Sequence, residues 1–346
     1  MILLIVTFAF ILTIQTSCLK TANDTSSKSD DRVTQTQVWL GTRIDISISE
    51  PVPHGVFEAI FKRISEIDES MSLQKGSSIL NKLNNAAGID WVQLPDDVFL
   101  VIQKAREMAG LSAGSFDPTI GPLVSAWDIG GNPRLPAPAE ISHLKNLIDW
   151  RSIEIDGSRK SVRLARKEQK IDLGAIAKGY AADEAARICR EYGVSSAILD
   201  LGGNIFVIGS KASGKDWAVG IQNPEAERGV PLGKILCSNT TTVTSGAYER
   251  YFEKDGIRYH HILDPATGYP SDSDLLQTTI ISRQSSMVCD ALSTATFVLG
   301  FEKAQQLLAS QDGYEAVLVT RERKVWVSPK LRPVFTLIDD TYTVVD

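Results

Sequence analysis

Three groups of residues have the types and spacings that chemistry needs. Asp290 and Thr294 lie four apart within Cys289-Asp-Ala-Leu-Ser-Thr-Ala295, so a helix stacks a carboxylate and a hydroxyl on one face. Completed by backbone carbonyls, water and a substrate phosphate, that pair suits a hard cation such as magnesium. The structural alternative has Thr294 bonding its own i−4 carbonyl and Asp290 serving as a first-turn acid. His261, followed by Ile-Leu-Asp-Pro-Ala-Thr-Gly268, is the best placed of four histidines. Its imidazole suits a general base near neutral pH, with Asp264 to Gly268 forming a turn around it. His260 next door leaves the choice between the two rings open. The third group is Lys170-Ile-Asp-Leu-Gly-Ala-Ile-Ala-Lys-Gly-Tyr-Ala-Ala-Asp183, which reads as a short strand entering Gly174 and a helix from Ala175. The first turn of such a helix offers free N–H groups, and Lys178 adds a full positive charge, a cradle for phosphate. Asp172 sits where a carboxylate holds a ribose, an amide or a metal. Taken alone, this run lacks the glycine spacings of a Walker or dinucleotide loop. It then favours an ordinary strand, turn and helix, with Asp172 a cap and Lys178 in solvent.

Several elements must position these groups. Apolar residues alternate from Arg43 to Ile48 as in a half-buried strand, with order expected from Val38. Helical periodicity runs over about 54–70, 96–109, 175–192, 286–299 and 302–310. Leu111 to Trp127 is a Gly- and Pro-rich loop that carries large apolar residues, as packed functional loops do. Ala197 to Ile208 reads as strand, paired glycines, strand, a bulge or a place where ligand rests on backbone. Further strands fall near 153, 162, 217–221, 233–237, 241–244, 316 and 325, and Thr244 to Tyr251 and Tyr259 to Gly268 read as polar turns.

With 346 residues, 43% hydrophobic and 23% charged, the chain can bury a large core. A net charge of −6 and a pI near 5.4 argue against nonspecific nucleic-acid binding. Met1 to Ile14 is almost continuously apolar and short for a membrane span, which suits an export signal over residues 1–17. Gln15-Thr-Ser-Cys18 is similar to a bacterial lipoprotein cleavage site, with Cys18 as the lipidated first residue. Residues 18–35 then read as a polar tether, and 36–346 as the folded unit. Cys189, Cys237 and Cys289 sit in apolar surroundings without metal-ligand spacing, and read as buried free thiols.

Together the stretches resemble the ApbE family of FAD:protein FMN transferases. The matching runs are Leu40-Gly-Thr42, Ser78 to Asn84, Gly114 to Val124, Ile171 to Asp183, Gly202-Gly203, Thr244-Ser-Gly-Ala-Tyr248, His261 to Gly268 and Asp290 to Ala295. They occur in order across nearly the whole mature chain. The resemblance implies an α+β fold of antiparallel sheets with packed helices, an ApbE/T-fold-like single unit. It implies magnesium-dependent transfer of FMN from FAD to a Thr or Ser hydroxyl of an acceptor protein, with release of AMP. It also implies an acceptor among membrane redox subunits, while the N-terminal pattern reads as an exported lipoprotein at the inner membrane, facing the periplasm or cell surface.

Carried over residue by residue, Asp290 and Thr294 match the magnesium side chains, and Ala175 the position that lends a backbone carbonyl. Leu40, Ser115, Phe116, Asp117, Asp172, Lys178 and Leu263 fall at FAD-contacting positions, and His261 at that of the base. Gln74 stands where many members carry a Tyr that stacks on the flavin nucleotide. Loss of that aromatic face weakens stacking by about 1 kcal/mol and leaves room for water as nucleophile. This keeps in view a metal-dependent FAD pyrophosphatase giving FMN and AMP. A flavin-binding lipoprotein without chemistry is a third reading, and such a protein has no need of a base and a metal pair.

Overall fold

Alternation of apolar and polar residues builds the strands. In Thr42–Ser49, Ile44, Ile46 and Ile48 are buried while the residues between them are not. In the computed structural model, which describes residues 31–49 and 51–346, this strand pairs antiparallel with Arg32–Trp39. The turn between them is two residues long, with φ of 53° at Leu40 and 67° at Gly41. Both angles are positive, as the right-handed twist of a tight hairpin requires, and a leucine adopts such a φ only under constraint. Arg250 supplies one, donating from Nη2 to the Gly41 carbonyl at 2.8 Å.

Among the described residues the central sheet has nine strands, ordered in space as 32–39, 42–49, 197–201, 204–208, 240–246, 275–282, 314–320, 324–327 and 343–345. Every neighbouring pair is antiparallel except the last, where Lys324 faces Thr343 in parallel register. Helices Val56–Met71, Asp96–Leu111, Ala177–Glu191 and Ser286–Leu299 cover one face, burying Ile46, Leu199, Ile280 and Leu318 in the main core. Val207, Ile281, Val317 and Val319 point to the other face, where strands 217–222, 231–237 and 335–337 close over them through Trp217, Ile221 and Ile235. The fold is thus α+β, a helical layer and a small sheet on opposite sides of a large antiparallel one.

Several expectations need correction. The strand begins at Arg32, so residues 32–35 belong to the edge of the sheet and not to a tether; their polarity reflects an edge exposed on both faces. Lys170 to Leu173 is not a strand: Lys170 makes one isolated parallel bridge to Ile120, and the helix starts at Ala177. The end of the Gly- and Pro-rich loop is a short helix, Gly121–Trp127. The two polar turns near 250 and 260 frame a hairpin, Tyr251–Lys254 with Ile257–His260. The signal segment and Cys18 lie outside the described residues. Among the described residues the three cysteines are free and buried, and no helix is long and apolar enough to cross a membrane.

Candidate active site

Two helices meet at the centre of the site because one residue has no side chain. A Cβ on Gly179 would lie 2.3 Å from the Ser286 carbonyl oxygen and 2.6 Å from Met287 Cα. Only glycine lets the helix Ala177–Glu191 approach Ser286–Leu299 so closely. Asp183, one turn further on, secures the contact. Its carboxylate accepts from the N–H groups of Ser286 (2.8 Å) and Met287 (3.0 Å) and from the Ser285 hydroxyl (2.9 Å). Those are first-turn donors of the second helix, so Asp183 caps it from across the interface. Burial raises the Asp183 pKa, and these donors oppose the shift.

The close approach brings Asp290 to the mouth of the first helix. Asp290 is 3% exposed and lies in the second turn of its helix, beyond the reach of a first-turn acid. Its Oδ2 accepts from the Gly179 N–H at 3.0 Å, and its Oδ1 is 3.5 Å from Lys178 Nζ. Thr294 does not bond back to the Asp290 carbonyl, which Ser293 Oγ takes at 2.8 Å; its hydroxyl has Ser245 Oγ at 3.4 Å. The expected cradle of free amides is largely absent. Ile176 and Ala177 donate to the Leu173 carbonyl, Gly174 to Asp172 Oδ1 and Gly179 to Asp290. The positive charge at this mouth is therefore the Lys178 ammonium, held between the Gly174 carbonyl at 3.3 Å and Asp290 Oδ1 at 3.5 Å.

Redirecting the Gly179 N–H has a further consequence. A regular helix would send it to the Ala175 carbonyl, and among the described residues no hydrogen bond reaches that oxygen. Asp290, Thr294 and the Ala175 carbonyl thus form an oxygen-only donor set, which fits magnesium. Among the described residues no cluster of three or more His, Cys, Asp or Glu offers a different kind of centre.

The two histidines separate cleanly. His260 is buried, its Nε2 donating to the Ser271 carbonyl at 3.0 Å and its Nδ1 accepting from the Ile262 N–H at 3.3 Å. Both nitrogens are engaged, and the ring lies edge-on to Phe297. His261 faces the cavity. Its Nδ1 is 3.3 Å from the Arg250 carbonyl. A carbonyl only accepts, so this contact assigns the proton to Nδ1 and leaves the Nε2 lone pair free. The ring meets solvent in the cavity but is walled by protein. That desolvation, with the charges of Arg250 and Lys178, holds its pKa below the ordinary imidazole value, so the ring is neutral at pH 7.

Asp172 stands in the wall beside Lys178, its pKa raised by burial against the opposing Gly174 amide and Lys178 charge. Its backbone is positioned by Asn84, whose side chain accepts from the Ile171 N–H (2.8 Å) and donates to the Ile171 carbonyl (3.0 Å). Ser78 caps the helix Ile79–Asn85 that carries Asn84, accepting from the Asn81 N–H at 3.0 Å. Asp117 is a knot for its own loop: its oxygens accept from Thr119 N–H and Oγ1 and from the Trp150 N–H. Ser115 ties that loop to the carbonyl of Ala295 at 3.3 Å, and Phe116 is buried behind it.

All twelve residues singled out from the sequence line one cavity of about 640 Å³: Leu40, Gln74, Ser115, Phe116, Asp117, Asp172, Ala175, Lys178, His261, Leu263, Asp290 and Thr294. Asn204 and Arg250 share its walls and were not anticipated. Asn204 sits directly after the paired glycines, and Arg250 two residues after the Thr244-to-Tyr248 run, so their place beside motifs was the available signal. Gly179 and Asp183 lay inside a quoted motif without an assigned role.

The ApbE family profile matches residues 40–318 of the chain. A FAD:protein FMN transferase of Treponema pallidum (strain Nichols) is 33% identical over 310 residues, 84% of this chain and 85% of that protein. One of Klebsiella pneumoniae (strain 342) is 34% identical over 320 residues, 92% and 99% of the two chains. The crystal structure of the ApbE protein from Thermotoga maritima superposes with a TM-score of 0.81 at 31% identity, covering 88% of this chain and 99% of that one. The flavin transferase ApbE from Vibrio cholerae gives a TM-score of 0.79 at 25% identity with the same coverage.

Proposed function

The chain belongs to the ApbE family, and from that premise we propose that it is a FAD:protein FMN transferase, moving FMN from FAD to a Thr or Ser hydroxyl of an acceptor protein and releasing AMP. The observation that carries the reading is the meeting of a neutral His261, the Lys178 ammonium and the Asp290, Thr294 and Ala175 oxygens in one cavity wall. His261 Nε2 takes the proton of the acceptor hydroxyl, whose oxygen attacks the FMN phosphorus. The bond from that phosphorus to the bridging oxygen breaks, and the bridging oxygen leaves with AMP. Lys178 offsets the negative charge that builds on the pyrophosphate. Magnesium, when bound by Asp290, Thr294 and the Ala175 carbonyl, supplies further charge stabilisation. Asp172 and Leu40 line the cavity for the dinucleotide, and the strained turn at Leu40 is held in place by Arg250.

Gln74 favours a second reading. Its side chain is exposed at the cavity wall where an aromatic ring would close over the flavin, and a looser site admits water, giving FMN and AMP. One experiment separates the alternatives: purified protein is mixed with FAD, magnesium and a candidate acceptor peptide. A mass gain of FMN on the peptide supports transfer, free FMN and AMP indicate hydrolysis, and unchanged FAD leaves storage. Asp290→Ala is expected to abolish metal-dependent turnover; full activity that still requires metal would sink the assignment. The proposal includes export and lipid attachment at Cys18, with an acceptor in a membrane redox complex. A mass spectrum of the mature N-terminus tests the anchor.

A further inference from the structure

Beside the main cavity lies a second, of about 360 Å³, and Arg228 and Glu249 stand in the walls of both. Two other charges of the second wall, Glu225 and Arg258, are already answered. Glu225 accepts from Arg323 (2.8 Å) and from the Tyr342 hydroxyl (2.7 Å). Arg258 pairs with Glu253 at 3.2 Å and lies over the Tyr251 ring at 4.0 Å. Tyr248 donates to Gln277 at 2.8 Å. Arg228 differs: among the described residues its guanidinium has no ion pair and no hydrogen bond, and its charge acts only through space, opposing the burial that raises the pKa values of Asp200 and Tyr248.

Nor is Arg228 carried by a slack loop. The Gln222 amide donates to the carbonyls of Asn223 (2.7 Å) and Glu227 (3.0 Å) and accepts from the Gly229 N–H (2.8 Å). Asn223 N–H and the Val230 carbonyl close the base of the loop at 2.9 Å, and the Asn223 side chain is fixed to Asp339 at 2.7 Å. The backbone on either side of Arg228 is pinned and only its head is uncommitted. A partner binding there has little loop ordering to offset.

We propose that the second cavity seats the acceptor polypeptide and that Arg228 receives an acidic side chain of that polypeptide, near the hydroxyl that takes FMN. This rests on the transfer reading above. A transferase holds two substrates at once, and with a dinucleotide in the main cavity the adjoining one, joined to it at Arg228 and Glu249, is open to the other. A guanidinium matches a carboxylate through two parallel hydrogen bonds. Glu249 at the same junction repels an acid placed out of register, so the pair selects position as well as charge.

The test uses short synthetic peptides that carry one threonine and a single aspartate stepped along the positions around it. They are offered to the full chain with FAD and magnesium, with FMN transfer read by mass and peptide binding to the FAD-loaded protein by fluorescence anisotropy. One aspartate spacing is expected to be preferred. Arg228→Glu should raise the KM for that peptide by about tenfold or more, with the KM for FAD as in the wild type. Exchanging the peptide's aspartate for lysine should recover activity in that variant. An unchanged peptide KM, a rise in the FAD KM instead, or no aspartate-dependent binding to the wild type each overturns the inference. Arg228-dependent binding without transfer would sink the transfer chemistry and leave the docking site standing; transfer indifferent to Arg228 would do the reverse.

Discussion

Gly179→Ala tests how the site is assembled. The added carbon would meet backbone, the Ser286 carbonyl at 2.3 Å and Met287 Cα at 2.6 Å, and backbone cannot rotate aside. Reaching ordinary contact requires the two helices to part by about 1 Å, and such overpacking costs about 1–3 kcal/mol. Alanine returns up to about 1 kcal/mol through its better helix propensity. The net is a loss of up to about 2 kcal/mol, a fall in Tm of up to about 3 °C for a chain of this size. Function should suffer more than stability. The Gly179 N–H holds Asp290 at 3.0 Å and leaves the Ala175 carbonyl open, so separating the helices moves the metal side chain relative to both. A misplacement of about 1 Å costs on the order of 10²-fold in rate. Circular dichroism melts and turnover measured against magnesium concentration provide the readouts. The expected pattern is a modest fall in Tm with a large loss of turnover that added magnesium only partly restores. A variant with wild-type stability and wild-type magnesium dependence would refute the argument that Gly179 sets the spacing of the site.

Further outcomes follow from the same geometry. His261→Asn should lower turnover by about 10²–10⁴-fold while FAD binding, read by flavin fluorescence, is retained; equal turnover would remove the base from the scheme. Because the His261 pKa is depressed, the acidic limb of kcat/KM against pH should lie below the ordinary imidazole value of about 6.5. The unfolded chain then binds protons before the native state does as pH falls below about 6.5, so stability should decline there and recover on raising the pH. A denaturation series across that window checks the sign. Gln74→Tyr should tighten FAD binding by about 1 kcal/mol, roughly fivefold, and shift products from free FMN toward transfer; unaltered affinity would mean that residue 74 does not face the flavin. Asp183→Ala removes the acceptor that reaches across to the first turn of the helix Ser286–Leu299, leaving Ser285 as its N-cap, and should cost about 1–2 kcal/mol by chemical denaturation, whereas a neutral result would show that water replaces it.

How much of this was legible in the sequence differs from element to element. The apolar face of Ala177, Ala181, Ala185 and Ile188 gave its helix away because side-chain periodicity is a local property. The same holds for Ile44, Ile46 and Ile48 in their strand, and the turn after His261 followed from Asp264, Pro265 and Gly268. Resemblance to known motifs brought twelve site residues together without showing how. Strand Arg32–Trp39 was partly missed because an edge exposed on both faces leaves no alternation to read. The hairpin at 251–260 was hidden by its polar residues, which its position over the Trp127 cluster explains only after folding.

What the sequence by itself determined is the set of chemical groups and the local elements that carry them: a carboxylate and a hydroxyl one helical turn apart, an imidazole before a turn, and an ammonium at a helix mouth. Tertiary structure alone decided which of these act together. Whether His260 or His261 is free depends on Ser271 and Arg250, each about ten positions away, and the freedom of the Ala175 carbonyl depends on Asp290, far along the chain. Local pattern encodes period and turn chemistry, whereas a hydrogen bond between distant residues exists only once packing has brought donor and acceptor within reach.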